Sequence, residues 1–327
     1  MQPSRDLERQ QRLKGYALAV LAAVCWATGG LSAKWLFSPS DASTASWPVP
    51  PPGIVVDAVV LAGARALTAA LILLVYVAIM RPHSLRIRPT DLGFLSVFGI
   101  LGLAGVHVTY FQAITHTNVA TAILLEYLAP IIVLGVSVLV LGERMTWALP
   151  VGVTLSVTGC ALVVGAIGGD GLAISTAGLA WGLTSAVFFA LYSLLGKYAA
   201  ARFSPWTLLT YGLLFASAFW VVYLRGLTPV IELLSHPAGL VVVLYMAVFA
   251  TIVPFAAFLK ALHYIDATKA VVTSTLEPVV AGIAAFLLFS EGFAALQLLG
   301  GGLVIAAIFV VQRQPGIEPV LEVPPAP

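Results

Sequence analysis

Long apolar stretches separated by short polar ones run along the whole chain. A helix that crosses a bilayer needs about 20 apolar residues. Ten stretches reach that length, at about 15–36, 56–80, 91–114, 118–141, 146–167, 174–198, 206–225, 238–260, 269–290 and 293–312. The segment from Ser38 to Gly53 is too polar and too rich in proline to cross, and reads as a loop or a short interfacial piece. Beyond Gln314, the prolines at 315, 319, 324, 325 and 327 predict a tail without fixed structure. Residues 1–14 are polar and basic, and no small-residue cleavage site closes the apolar run behind them. That run reads as an uncleaved first span rather than a removed signal. The expected fold class is all-α, a polytopic membrane protein with ten transmembrane helices.

The pattern repeats itself. Tyr110 to Glu143 reads YFQAITHTNVATAILLEYLAPIIVLGVSVLVLGE, and 148 residues later Phe258 to Glu291 reads FLKALHYIDATKAVVTSTLEPVVAGIAAFLLFSE. Without a gap, Ala113 meets Ala261, Leu128 meets Leu276, Pro130 meets Pro278 and Glu143 meets Glu291. The first helices also align, with Ala27 and Lys34 matching Ala190 and Lys197 at an offset of 163. The 15-residue difference between the offsets is about the length of the proline-rich linker, which reads as an insertion in the first half. Internal repeats decide architecture. The expected organisation is an N-terminal segment over 1–14, five-helix repeats over 15–167 and 168–312, and a proline-rich tail over 313–327. Five is odd, so the second repeat must enter the membrane from the opposite side. Inverted pairs of this kind are how many secondary transporters alternate access around a site near the bilayer midplane.

Composition agrees with that class. The chain is 60% hydrophobic and 9% charged, against about 25% charged in soluble domains. With the N-terminus inside, 13 of the 16 Lys and Arg fall on the cytoplasmic side, which predicts that both termini are cytoplasmic. Cys25 and Cys160 sit in apolar runs and read as packing residues. Net charge of +2 without a basic patch gives no reason to expect nucleic acid. No nucleotide loop and no metal-ligand spacing is present, so neither a cofactor nor a metal is expected.

Ionisable residues deep in spans are costly and usually functional. Arg65, His107 and Glu126 are expected at similar depth, about 10–12 Å from the outer surface at roughly 1.5 Å per residue. Two readings stand: a polar cluster in a central cavity, or a structural Arg65–Glu126 bridge between spans two and four. Glu277 directly precedes Pro278, and Glu126 lies within one turn of Pro130. A proline frees a backbone carbonyl about a turn earlier. A carboxylate beside such a kink is a candidate site for a cation, an amine or a proton, against a plainer reading as a protonated structural group. His107 and Tyr110 share a helix face, and their repeat mates are Phe255 and Phe258. Trp26 aligns with Phe189, near Tyr192. These aromatics read as cavity walls or as packing. The predicted substrate-binding set is Trp26, Arg65, His107, Tyr110, Glu126, Phe189, Tyr192, Phe258 and Glu277, with kinks at Pro130 and Pro278. Lys34 and Lys197 read as snorkelling side chains, Glu143 and Glu291 as interfacial helix ends, and Trp35, Trp47, Trp147, Trp206 and Trp220 as interfacial anchors. Gly168-Gly169-Asp170-Gly171 reads as a plain turn. Gly152 and Gly300-Gly301-Gly302 read as places of close helix approach.

Taken in order, Trp26-Ala27, Lys34, Arg65, the segment Tyr110–Ala113 and the run Leu128-Ala129-Pro130 closing on Gly142-Glu143-Arg144-Met145-Thr146 resemble the EamA-type branch of the drug/metabolite transporter superfamily. The resemblance covers residues 15–312. It implies a cavity lined mainly by spans one, three, four, six, eight and nine, with spans five and ten peripheral, and small organic solutes moved mostly outward. His107 with Tyr110 resembles the span-three pair of the branch that exports aromatic amino acids. Ser290-Glu291-Gly292-Phe293 departs from the family's fuller ending, at the interface.

The expected protein is a multi-pass secondary transporter of the plasma membrane, suited to a bacterial inner membrane, exporting amino acids or related small metabolites by alternating access. Its partners are the bilayer and that solute. A proton carried by Glu126 or Glu277 and uncoupled movement both fit the sequence. Export of cationic drugs is the alternative within the class. A lipid enzyme would need polar catalytic groups at the interface, where the loops here are short.

Overall fold

The computed structural model describes residues 2–38, 40, 47–52, 54, 56–117, 119–167, 175–289 and 294–313, with side chains from residue 9 onward. The glycine turn at 168–171, Glu291 with its neighbours 290–293, the tail past 313 and half of the proline-rich linker lie outside them. Among the described residues every regular element is helical. The principal helices are α1 (Gln2–Phe37), α2 (Ala58–Met80), α3 (Pro89–His116), α4 (Val119–Leu139) and α5 (Ala148–Val163), followed by α6 (Thr176–Ala199), α7 (Pro205–Tyr223), α8 (Pro237–Ala261), α9 (Ala267–Leu288) and α10 (Ala295–Gln312). Nine of these described helices are long and apolar enough to cross a membrane. The tenth, α5, is apolar but has only 16 helical residues where the sequence predicts a full span over 146–167. Helix α1 extends back into the polar N-terminal segment. A short helix, Thr228–Ser235, was not expected; it buries Val230 and Leu233.

Local chemistry sets several of the ends. The Asp57 carboxylate accepts from the Val59 and Val60 amides at 2.7 and 3.1 Å and starts α2. Ser175 caps α6 in the same way, and Ser204 caps α7 ahead of Pro205. Leu71, Ile79, Val222 and Leu287 point outward and are more than 60% exposed. In water such a surface would be a liability; against lipid it is the expected one.

The helices pack in a crossed arrangement. The first helix, α1, packs on α8 and α9, while α6 packs on α3 and α4. Helices α2 and α7 pair, and α5 pairs most extensively with α10. At that last crossing Gly159 faces Gly300: a Cβ on Gly300 would lie 2.6 Å from the Gly159 carbonyl oxygen. Gly152 lies against Val311 in the same interface, whereas Gly302 faces open space. Close approach of small residues gives such helices their van der Waals contact, since lipid tails compete with any apolar side chain. Trp220 is not an interfacial anchor: it is fully buried and packs against Phe219 and Tyr223. Its large ring fills the core between α2 and α7, beside Gly63.

Candidate functional site

Four helices depart from regular geometry, and the departures build the site. In α3 a π-helical stretch runs over Phe98–Ala104. In α8 another runs over Val248–Ile252. The two end 148 residues apart, the offset of the sequence repeat. A π turn adds a residue to the turn and rotates the helix face beyond it. The faces set in this way carry His107 and Tyr110 on α3, and Phe255 and Phe258 on α8. Pro254 cannot close a backbone bond to Ala250, and Thr251 donates its hydroxyl to the Met246 carbonyl at 2.9 Å.

Helix α4 breaks at Tyr127–Leu128 before resuming at Ala129, and α9 breaks at Thr275 before resuming at Leu276. Pro130 and Pro278 supply the cause, each lacking the N–H that would bond four residues back. Glu126 ends the first half of α4, and Glu277 opens the second half of α9.

These breaks and rotated faces converge on one cavity. It is lined by Trp26, Arg65, His107, Tyr110, Glu126, Phe189 and Glu277, which are seven of the nine predicted binding residues. It runs from Glu277 and Tyr127 to Ile114 and Val119 beside the α3–α4 turn. Its volume is about 60 Å³, narrow for a ligand pocket, which typically has about 300–1,000 Å³. Tyr192 and Phe258 are fully buried and stand one layer behind. Tyr192 lies 5.4 Å from Phe255, and Phe258 lies 5.5 Å from Trp26. Trp26 contacts Phe189, Phe255 and Phe258 at 6.0, 5.2 and 5.5 Å. These rings form the wall.

Of the two readings of Arg65 and Glu126, the structural bridge does not form. Among the described residues Arg65 makes no ion pair and no hydrogen bond, and its buried Nε has no partner. Its Cζ instead lies 5.2 Å from the centroid of the Phe111 ring. Glu126 accepts a short hydrogen bond from the Ser185 hydroxyl of α6. Glu277 accepts one from the Tyr127 hydroxyl at 2.7 Å. His107 is 1% exposed, and neither ring nitrogen has a partner among the described residues; its ring stands edge-on to Phe255 at 5.3 Å. Sequence reasoning missed Ser185 and Tyr127. Tyr127 was findable, one residue from Glu126 and inside the proline-ended motif. Ser185 was not, because a lone serine in an apolar helix carries no signal.

A second polar cluster lies where α4 ends and α9 begins, and it corrects two expectations. Glu143 is buried and accepts from the Thr268 hydroxyl at 2.8 Å. Burial, reinforced by nearby Asp266, raises its carboxyl above the usual carboxylate range. Lys269 is buried and pairs with Asp266 at 2.7 Å. Lys197 does not snorkel: its Nζ donates to the Leu262 and Ile265 carbonyls at 2.8 and 2.9 Å, closing the end of α8. Glu143 and Lys197 read as interfacial groups because sequence places them at span ends; the fold then turns those side chains inward.

Long apolar helices, an apolar exterior and a buried cavity with ionisable groups at helix breaks define a multi-span membrane protein with an intramembrane polar site. The EamA-like transporter family model matches twice, over residues 52–165 and 176–313. The chain belongs to the EamA-like transporter family, and its work is transport rather than catalysis. It is 27% identical over 259 residues to the threonine/homoserine exporter RhtA of Escherichia coli, covering 75% of this chain and 79% of that relative. It is 26% identical over 236 residues to a Streptantibioticus cattleyicolor protein named "Probable terminal-alkyne amino-acid exporter", covering 70% and 76%. A solved crystal structure shares the fold with a TM-score of 0.70 at 18% identity, covering 91% of this chain and 96% of that one.

Proposed function

We propose that this transporter exports amino acids or related small metabolites across the plasma membrane by alternating access. What carries the reading is the placement of Glu126 and Glu277 at helix breaks inside one buried cavity. Broken helices with polar groups at the midplane are the site architecture of secondary transporters. Two relatives named as amino-acid exporters support the substrate class. Ten spans in two inverted halves, both termini cytoplasmic, give the moving parts. The reciprocal packing of α1 on α8 and α9, and of α6 on α3 and α4, supports that division. Rocking of the halves would open the narrow cavity to one side at a time. Where a proton is coupled, Glu126 or Glu277 carries it.

The test is uptake of a labelled amino-acid panel, aromatic and aliphatic, into proteoliposomes, with and without an imposed pH gradient. Saturable uptake that is lost in Glu277→Gln and in Tyr110→Ala is expected. Stimulation by the gradient assigns proton coupling, and indifference to it assigns facilitated movement. No uptake of any amino acid by folded protein would overturn the reading.

A further inference from the structure

We infer that Arg65 is the receptor for the carboxylate of a zwitterionic substrate and sets the preference for an amino acid over a bare amine. The inference rests on the amino-acid reading above and assigns one residue a specific task within it.

Besides His107 and two tyrosines, one small cavity in the membrane is faced by the guanidinium of Arg65 and the carboxyls of Glu126 and Glu277. Charges at this depth are expensive and are normally paired. Pairing the arginine with either glutamate would be the simplest relief. The fold does the opposite. Each carboxylate is held by a neutral hydroxyl, Ser185 on Glu126 and Tyr127 on Glu277. Arg65, 8% exposed, is left with no hydrogen bond or ion pair among the described residues. It is nonetheless fixed, because its guanidinium lies over the Phe111 ring, an arrangement that favours a cation.

The cavity thus presents a guanidinium and two carboxyls, each satisfied only in part. A guanidinium offers a planar fork of donors that matches a carboxylate. Of the two carboxyls, each uses Oε2 for its hydroxyl partner, which leaves Oε1 to accept another hydrogen bond. An ammonium supplies donors there. A molecule with both groups, joined through one carbon, satisfies both; an amine satisfies the carboxyls and leaves the guanidinium without a partner. Trp26, Phe189 and Phe255 remain for its side chain.

The experiment is binding to the purified full-length protein by calorimetry, with L-threonine and L-phenylalanine, each beside its methyl ester. The ester keeps the ammonium and removes the carboxylate charge. Wild type is expected to bind the free amino acid at least about tenfold more tightly than the ester, the effect of one charge-assisted hydrogen bond. Arg65→Gln should lower amino-acid binding to the level of the ester and leave ester binding unchanged. In that cycle the two cuts are not additive, as they remove one shared contact. Equal binding of acid and ester by wild type overturns the inference without the need for any variant, and leaves the amino-acid reading standing. Loss of acid and ester alike in Arg65→Gln also overturns it, since that is the mark of a structural role. Binding of neither amino acid by wild type, together with no uptake of any member of the amino-acid panel, overturns the amino-acid reading and this inference with it.

Discussion

The hydroxyl of Tyr127 donates to Oε2 of Glu277 at 2.7 Å, joining the break in α4 to the break in α9. The two residues lie 150 positions apart, one in each half of the chain. The bond therefore ties the two kinked helices together at the base of the cavity. Tyr127→Phe keeps the ring and removes the donor. Hydrogen bonds between membrane helices are worth about 0.6 kcal/mol on average and up to about 1.7. A loss of stability in that range is expected, together with a raised KM for transport. Thermal unfolding in detergent and initial uptake rates measure the two. Unchanged values of both would show that the bond contributes nothing.

Lys197 offers a second test at the other end of the molecule. Its ammonium closes two carbonyls, Leu262 and Ile265, just past the end of α8. Lys197→Met preserves the stem and leaves both acceptors buried. An unsatisfied buried polar group costs about 1–3 kcal/mol, so a fall of that order in unfolding free energy is expected. A variant as stable as wild type would mean that the carbonyls find water instead.

The Arg65 and Lys197 results mark where sequence reasoning stops. Membrane class and nine of the long helices were legible, because a bilayer demands length and apolarity that few other folds need. The proline breaks were legible too, since a missing N–H acts locally whatever surrounds it. Seven of the predicted binding residues reached the cavity because an ionisable or aromatic side chain beside a kink has few other reasons to be there. Pairing was not legible. Arg65 and Glu126 look like natural partners along the sequence, yet Ser185 takes Glu126 and Phe111 takes Arg65. The π turns in α3 and α8 were likewise invisible, because a one-residue change of register leaves hydropathy unaltered. Lys197, Glu143 and Trp220 were misread for one reason: depth along a span does not say whether a side chain faces lipid or a neighbour.

Glu143 predicts a pH dependence. Its folded-state carboxyl titrates above the ordinary 4.5, first through burial and then through Asp266, with Thr268 and Lys269 opposing in part. The folded protein therefore holds this proton where the unfolded chain has released it. Stability from the group is fully present below the unfolded value and is lost as pH rises through the folded one. Glu143→Gln removes the titration and keeps an acceptor for Thr268. The variant should be more stable than wild type at about pH 8, with the difference shrinking as pH falls toward the unfolded value. Melting temperatures across pH give the comparison; a gap that widens on acidification would contradict the assignment.

The crossing of α5 on α10 predicts a destabilisation that spares the site. A Cβ on Gly159 would lie 2.8 Å from the Gly300 carbonyl oxygen, and one on Gly300 would lie 2.6 Å from that of Gly159. Neither carbonyl can move without bending its helix, so Gly159→Ala and Gly300→Ala force the pair apart. Overpacking of this kind costs about 1–3 kcal/mol. Gly302 lies two residues on in the same helix, and a Cβ there meets nothing within 4 Å. Gly302→Ala should be neutral or slightly stabilising, since alanine is the better helix former by up to about 1 kcal/mol. None of the three positions lines the cavity. Substrate affinity should therefore hold in all of them while unfolding midpoints fall only for Gly159→Ala and Gly300→Ala. Lost affinity at undiminished stability would instead place this crossing inside the moving part of the transporter.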